Sequence, residues 1–327
     1  MSVKPMPLAL LLAGVLSASY AAIAAGPAYP VRPISMVVTF AAGGSSDVLA
    51  RAVAQAMSPG LGQQIAVDNR PGAGGQIGAE AVAHAPPDGY TIMFGTNGAL
   101  GIGPAIYKHL RYDPLHDLAP VGLLHKLPLL LIVNPSIPAN NLQELIAYAR
   151  SHPGKLSFAS AGVGSVSHLA GELFKQEARI DILHVPYKGG GAAVTDLISG
   201  RVSMMLETIP NALPLAKNGQ MRAVAVTTRE RSSSAPEIPT LAESGLPDFD
   251  VSAWTGLFVP AGTPRAAVDR LNAQTQKIAA EQHYVDLIRK MGTNVASSSP
   301  EAFGAFVRED IARWSKVISR AGIPRIE

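Results

Sequence analysis

Two short stretches hold residues suited to binding an anion without a charged side chain. The first, Phe40-Ala41-Ala42-Gly43-Gly44-Ser45-Ser46-Asp47, closes an apolar, β-branched run over 34–40. It opens a helical pattern over 48–57 that puts Val48, Leu49, Ala52, Val53, Ala56 and Met57 on one face. The second, Ser160-Ala161-Gly162-Val163-Gly164-Ser165, ends a strand pattern over 155–160 and opens a helix over 166–177 with Leu169, Leu173 and Phe174 turned inward. A strand that runs through glycines into a helix leaves the first backbone N–H groups of that helix without intrahelical partners. Those donors, with the positive end of the helix dipole, make an anion site. Two such units in one chain predict two α/β lobes whose facing helix ends clamp a small carboxylate.

Other residue types point to other chemistries, and most fall short. Gly72-Ala73-Gly74-Gly75-Gln76-Ile77-Gly78 follows a strand pattern and is a loose match to a dinucleotide fingerprint, but the next strand, over 90–94, closes on Gly95 where an acidic residue belongs. No phosphate-binding Gly-Lys-Ser/Thr motif occurs. Neither glycine-rich turn matches the Gly-x-Ser-x-Gly elbow, and Ser165 with His168 one turn later reads as a helix cap before it reads as a nucleophile and base. A secreted serine hydrolase acting through Ser165 is the competing class. The eight histidines form no i, i+4 pair and no His-Glu-x-x-His, so no metal site is expected. With no cysteine there is no thiolate chemistry and no disulfide framework. Asp47 either caps its own helix, a contribution of about 1 kcal/mol, or takes an amino or hydroxyl group of a ligand. Tyr187 and Trp254 are core aromatics or cleft walls.

The elements that must position these residues alternate strand and helix. Strand patterns at 64–68 and 90–94 flank a helix over 76–84; the second opens into Gly95-Thr96-Asn97-Gly98, at the same carboxyl edge as the first anion loop. A short helix is expected over 101–110, and Pro128 is expected to split the apolar run 121–133. Asn141 with Glu144 three residues on forms a capping box for a helix through Arg150. Strands at 183–186, 202–206 and 221–227 follow, the first ending at Tyr187-Lys188-Gly189-Gly190-Gly191 ahead of a helix over 192–199, the second at Glu207-Thr208. The stretch 232–247 reads as a surface loop holding a short helix, 251–259 as a strand, Thr263-Pro264 as the start of a long helix or helix pair ending at Gly292, and Ser299-Pro300-Glu301 as the start of the last helix. This alternation predicts an α/β protein with sheets covered on both faces.

At 327 residues and 47% hydrophobic content the chain can fill two ordinary cores. A formal charge of +3 with scattered basic residues offers no nucleic-acid footprint. Residues 1–24, with Lys4, an apolar run over 8–16 and Ala22-Ile23-Ala24, have the form of a secretory signal cleaved near Ala24. That run is too short for a membrane span and no later one is long enough, so the mature chain is expected to be exported, soluble and not inserted in a membrane.

Taken in order, Tyr29-Pro30-Val31-Arg32-Pro33-Ile34, the loop Phe40 to Asp47, Asn69-Arg70-Pro71-Gly72-Ala73-Gly74-Gly75, Pro87-Asp88-Gly89-Tyr90, Tyr112-Asp113-Pro114, Val185-Pro186-Tyr187-Lys188-Gly189, Trp254-Thr255-Gly256-Leu257-Phe258 and Pro260-Ala261-Gly262-Thr263-Pro264 resemble the Bug-type substrate-binding proteins, extracytoplasmic receptors of tripartite tricarboxylate transporters. The resemblance spans essentially the whole mature chain. It implies a type II periplasmic-binding-protein fold, with lobe 1 over 25–127 and 252–327 and lobe 2 over 128–251. It also implies a monomeric periplasmic receptor with no catalysis and no cofactor, which captures a small carboxylate in the interlobe cleft and delivers it to a membrane permease or, in the alternative, to a sensor. Carried onto this chain, the ligand-binding set is Ala41 to Asp47 with Phe40, Thr96 and Asn97, facing Ser160, Ala161, Gly162, Gly164, Ser165 and His168 with Tyr187, Lys188, Glu207, Thr208 and Trp254. Ala41-Ala42 departs from the family's usual proline ahead of Gly43-Gly44.

Overall fold

The computed structural model describes residues 29–187 and 189–327; the expected signal, residues 1–24, and Lys188 lie outside them. The apolar run after Pro33 forms β1 (Ile34–Val38), with Ile34, Met36 and Val38 in one core and Val37 in another, as strand alternation requires. Helix α1 (Ser45–Leu61), β2 (Ile65–Asn69), α2 (Gln76–Ala83) and β3 (Thr91–Thr96) complete a parallel unit in the order β2-β1-β3. The expected helix over 101–110 is shorter: a wide turn over Gly98–Ile102 leads into a single helical turn, α3 (Gly103–Ile106).

The next strand organises the molecule. β4 (Leu118–Val133) runs 16 residues without a break, and Pro128 does not split it. Instead its partners change there. Up to Pro128 it pairs antiparallel with β9 (Ser252–Pro260); from Leu129 it pairs antiparallel with β7 (Met204–Thr208), and from Leu130 with β8 (Arg222–Val226). Proline's missing N–H falls where one ladder ends and the next begins, so no hydrogen bond is lost. On the far side α4 (Leu142–Ser151), β5 (Ser157–Ser160), α5 (Val166–Ala178), β6 (Leu183–Pro186), α6 (Gly190–Ile198) and α7 (Ile209–Lys217) form a second α/β group in which β5 is parallel to both β6 and β7. The ten-stranded sheet therefore reads β2-β1-β3-β9-β4-β7-β5-β6, with β8 and β10 (Asn294–Val295) also on β4.

Local signals explain most boundaries. Asn141 caps α4 by accepting from the Glu144 N–H at 2.9 Å, and Glu144 accepts in return from the Asn140 N–H at 2.7 Å, a capping box displaced by one residue from the expected one. Ser299 caps α10 (Pro300–Arg320). Two expectations are corrected. Thr263 does not cap α8 (Arg265–Ala280), because its hydroxyl donates to Pro260 O at 2.7 Å. The stretch 232–247 holds turns instead of a helix, pinned by reciprocal Thr240–Glu243 bonds of 2.9 Å. A second helix, α9 (Gln282–Lys290), ends before Gly292.

Among the described residues no helix is long and apolar enough to cross a membrane. The β4–β9 crossing is tightly packed. A Cβ at Gly256 would stand 2.9 Å from Gly122 O and overlap the Phe303 ring. Gly256→Ala is therefore expected to lower the unfolding free energy by about 1–3 kcal/mol, the usual cost of overpacking a core, as read from a shifted midpoint in urea denaturation; an unchanged midpoint contradicts this packing.

Candidate functional site

The carboxyl edge of the first α/β group gathers three loops. After β1 the chain passes Thr39 and Phe40 into Gly43, whose φ of +81° is a left-handed conformation suited to glycine. Gly44, extended at φ −79° and ψ 169°, is the N-cap of α1 and carries no side-chain cap. Asp47 does not cap the helix end itself. Its Oδ2 accepts from the Gly43 N–H at 2.9 Å and from Arg51 Nε at 3.1 Å, and Arg51 reaches on to Asn69, whose amide donates to Phe40 O. Burial opposes ionisation of Asp47, but Arg51, the Gly43 N–H and Asn69 outweigh it and hold the carboxyl below its ordinary value. Asp47 thus shapes the loop as a neutralised ion pair. Among the described residues the N–H groups of Ser45, Ser46 and Asp47 have no acceptor.

Beside this loop, buried polar atoms stand without partners: Thr39 Oγ1, Thr96 Oγ1 and Asn97 Nδ2, on residues no more than 7% exposed. Thr39 and the Gly72–Gly75 turn escaped the sequence reading of the site. Gly72, Ala73, Gly74 and Gly75 all have positive φ, which brings the turn close to Thr39 and Gly98. A Cβ at Gly75 would meet Thr39 Oγ1 at 3.1 Å, and one at Gly98 would meet Gly74 O at 3.3 Å, Thr96 Oγ1 at 3.7 Å and the Phe40 ring at 3.9 Å. Phe40, Thr96, Asn97 and this turn are therefore one cluster. The repeated glycines that resemble a dinucleotide fingerprint serve this close approach.

The second group presents its own carboxyl edge. Ser165, at φ −75° and ψ 159°, is the N-cap of α5; its Oγ accepts from the His168 N–H at 3.3 Å and donates to Gly162 O at 2.6 Å. Among the described residues no imidazole is hydrogen-bonded to the Ser165 hydroxyl, and His168 Nδ1 is taken by the Gly164 N–H, so a Ser165–His168 dyad is not formed. The loop uses more of its own amides than its glycines suggested. Ala161 N–H donates to Ser167 Oγ, Gly162 N–H to Ser160 Oγ, Gly164 N–H to His168 Nδ1 and Ser165 N–H to Gly162 O, leaving those of Val163, Val166 and Ser167 without acceptors among the described residues. Alongside, α6 begins at Gly190, so the expected glycine loop is itself a helix end, with Gly189 as N-cap and no side-chain cap. Tyr187 borders this edge, a Cβ at Gly162 lying 3.0 Å from Tyr187 O, while its hydroxyl donates to Asp196 at 2.8 Å.

The two edges meet through Tyr107. A Cβ at Gly164 would lie 3.5 Å from Ile106 and 4.0 Å from the Tyr107 ring, and the Tyr107 hydroxyl donates to Ala73 O at 3.2 Å. The glycine turn of one group and the α5 loop of the other are thus separated by one side chain. Glu207 and Thr208, both buried, end β7 beside β4. Trp254 is corrected to a core residue: at 1% exposure its ring packs against Phe258, Phe303 and Phe306, and Nε1 donates to buried Asp310 at 2.8 Å. The signal was available in the sequence, since residues of one strand alternate faces and Trp254, Gly256 and Phe258 share one.

Behind the α5 loop, His168 stacks on His184 at 4.1 Å and His184 on Phe158 at 4.8 Å. Ser160 Oγ meets His184 Nε2 at 2.7 Å, a serine–imidazole pair, but Ser160 is fully buried. His168, Glu172 and His184 bring ligand atoms within 4.8 Å of one another. The rings are 21° from parallel, so their lone pairs run side by side instead of converging, and Glu172 pairs with Lys175 at 3.2 Å. Burial, then the neighbouring His184 and Lys175, push His168 down to about 3; burial alone pushes His125, held between Thr255 and Tyr284, to about 3 as well. Both are neutral when the protein is folded near neutrality.

Over 89% or more of this chain the fold recurs in solved structures. R. palustris Rpa4515 with adipate has a TM-score of 0.86 at 36% identity, covering 91% of this chain and 100% of that one. MatC from Rhodopseudomonas palustris with bound malate has a TM-score of 0.81 at 38% identity, covering 89% and 100%. Protein BugT of Bordetella pertussis is 36% identical over 309 residues, 94% of this chain and 95% of its own. The model of the tripartite tricarboxylate transporter family receptor matches residues 49–323.

The depressed imidazoles make stability pH-dependent with a definite sign. Below an ordinary value of 6.5 the unfolded chain takes up protons at His125 and His168 that the folded chain refuses until about 3. Unfolding free energy is thus expected to fall as pH drops from 6.5 toward 4, by up to about 1.4 kcal/mol per pH unit for each histidine. Urea titrations of His168→Gln beside the parent, which should show a shallower slope in the variant, check this.

Proposed function

We propose that this chain, which belongs to the tripartite tricarboxylate transporter family receptor family, is a periplasmic receptor that holds a small carboxylate between two α/β lobes and passes it to a membrane permease. The carrying observation is that unpartnered donors gather at two edges bridged by Tyr107: the first-turn amides of α1 with Thr39, Thr96 and Asn97 on one side, and those of α5 on the other. Buried polar atoms without partners cost about 1–3 kcal/mol each, so such a concentration calls for a ligand. The ligands of similar proteins, adipate and malate, are both carboxylates.

The lobes of this reading are residues 25–127 with 252–327, and 128–251. Supporting it, β4 exchanges partners at Pro128 and β9 begins opposite, at Ser252. Ligand contacts to both lobes would drive closure, since a ligand that binds open and closed forms equally shifts nothing. The reading assigns the chain no catalysis of its own, in keeping with a capping role for Ser165 and the burial of Ser160.

Proline at the first helical position removes one amide donor and leaves the helix intact. Gly44 and Ser165 already have the extended backbone that a following proline requires. Ser45→Pro and Val166→Pro should each keep the parent's melting temperature without ligand and lose affinity about tenfold, the equivalent of one hydrogen bond to a charged group. Titration calorimetry with carboxylates that raise the parent's melting temperature reads this, and full affinity in both variants refutes the clamp.

A further inference from the structure

Glu207 is an acid where a carboxylate receptor would be expected to present only donors. It sits one residue from the end of β7, paired with Leu130, just past the point where β4 changes partners, and is 6% exposed. Its two oxygens differ. Oε1 accepts from Thr208 N at 2.8 Å, Thr208 Oγ1 at 2.8 Å and Asn211 Nδ2 at 3.3 Å, which saturates it. Oε2 has no hydrogen-bond or ion-pair partner among the described residues. It faces the first turn of α6, since a Cβ at Gly190 would lie 3.0 Å from it. Among the described residues, Cβ atoms at Gly189 and Gly191 would meet nothing within 4 Å. Burial pushes the carboxyl up, against the pull of Thr208 and Asn211.

A carboxyl group on a side chain this buried needs partners for both of its oxygens. A second carboxylate at Oε2 would be repelled, whereas a hydroxyl or ammonium hydrogen would complete the set. From this geometry we propose that Glu207 Oε2 accepts a hydrogen bond from a hydroxyl or amino substituent of the bound carboxylate, so that the receptor selects substituted acids over their plain counterparts. The inference rests on the receptor reading and adds the class of ligand to it. It also accounts for glycine at 190, where any side chain would cover the oxygen.

The test is calorimetric titration of the parent, Glu207→Gln and Gly190→Ala with matched acids: succinate, malate and aspartate, then phenylpropionate, phenyllactate and phenylalanine. In at least one series the parent should bind the hydroxy or amino acid ten times or more tighter than the plain acid. That ratio should shrink below threefold in Glu207→Gln and in Gly190→Ala, whose methyl stands over Oε2. Equal affinities within each series in the parent, tighter binding of the plain acid, or a ratio that survives in both variants overturns the assignment while leaving the receptor reading intact. Failure of every acid to bind the parent overturns both.

Discussion

An amide hydrogen in the first turn of a helix has no carbonyl behind it, and the protein must supply an acceptor or leave that work to a ligand. In this molecule the loops differ in how far they supply their own. The α5 loop closes most of its amides internally, through Ser160, Ser167, His168 and Gly162 O. The α1 loop engages Gly43 N–H through Asp47 and leaves the N–H groups of Ser45, Ser46 and Asp47 without acceptors among the described residues, as it does the buried side chains of Thr39, Thr96 and Asn97. The α6 end has no side-chain cap and faces a half-satisfied carboxylate. A site built of such atoms is rigid because the loops around it are hydrogen-bonded, and receptive because a few donors are not.

The same strand serves both groups. β4 carries one ladder up to Pro128 and another beyond it, so the two α/β groups share a backbone and have different partners. The residues around this crossing are packed closely, with Gly122 and Gly256 in near contact and His125 held neutral between Thr255 and Tyr284.

Charge is handled by pairing or by neutrality. Asp47 is answered by Arg51 and Asp310 by Arg313 at 2.7 Å, while the stacked His168 and His184 are pushed down to about 3 and about 4 by burial and so carry no charge near neutrality. Glu207 is the exception, a buried acid with no cation beside it among the described residues.

The alternation of apolar strands with amphipathic helices was legible because it depends on residues a few positions apart, as were the capping box at Asn141, the cap at Ser299 and both glycine loops. Burial periodicity and turn chemistry are local, so the chain states them directly. What only tertiary structure decided was how far each local signal was used. Pro128 does not break β4, because two ladders meet at it. Trp254 faces a core, because α10 covers that side of β9. The triple glycine enters the helix at Gly190, where Glu207, distant in sequence, lies against it. Sequence determined which atoms lack local partners; only the folded chain decided which of them found distant ones, since that depends on neighbours brought together across the sheet.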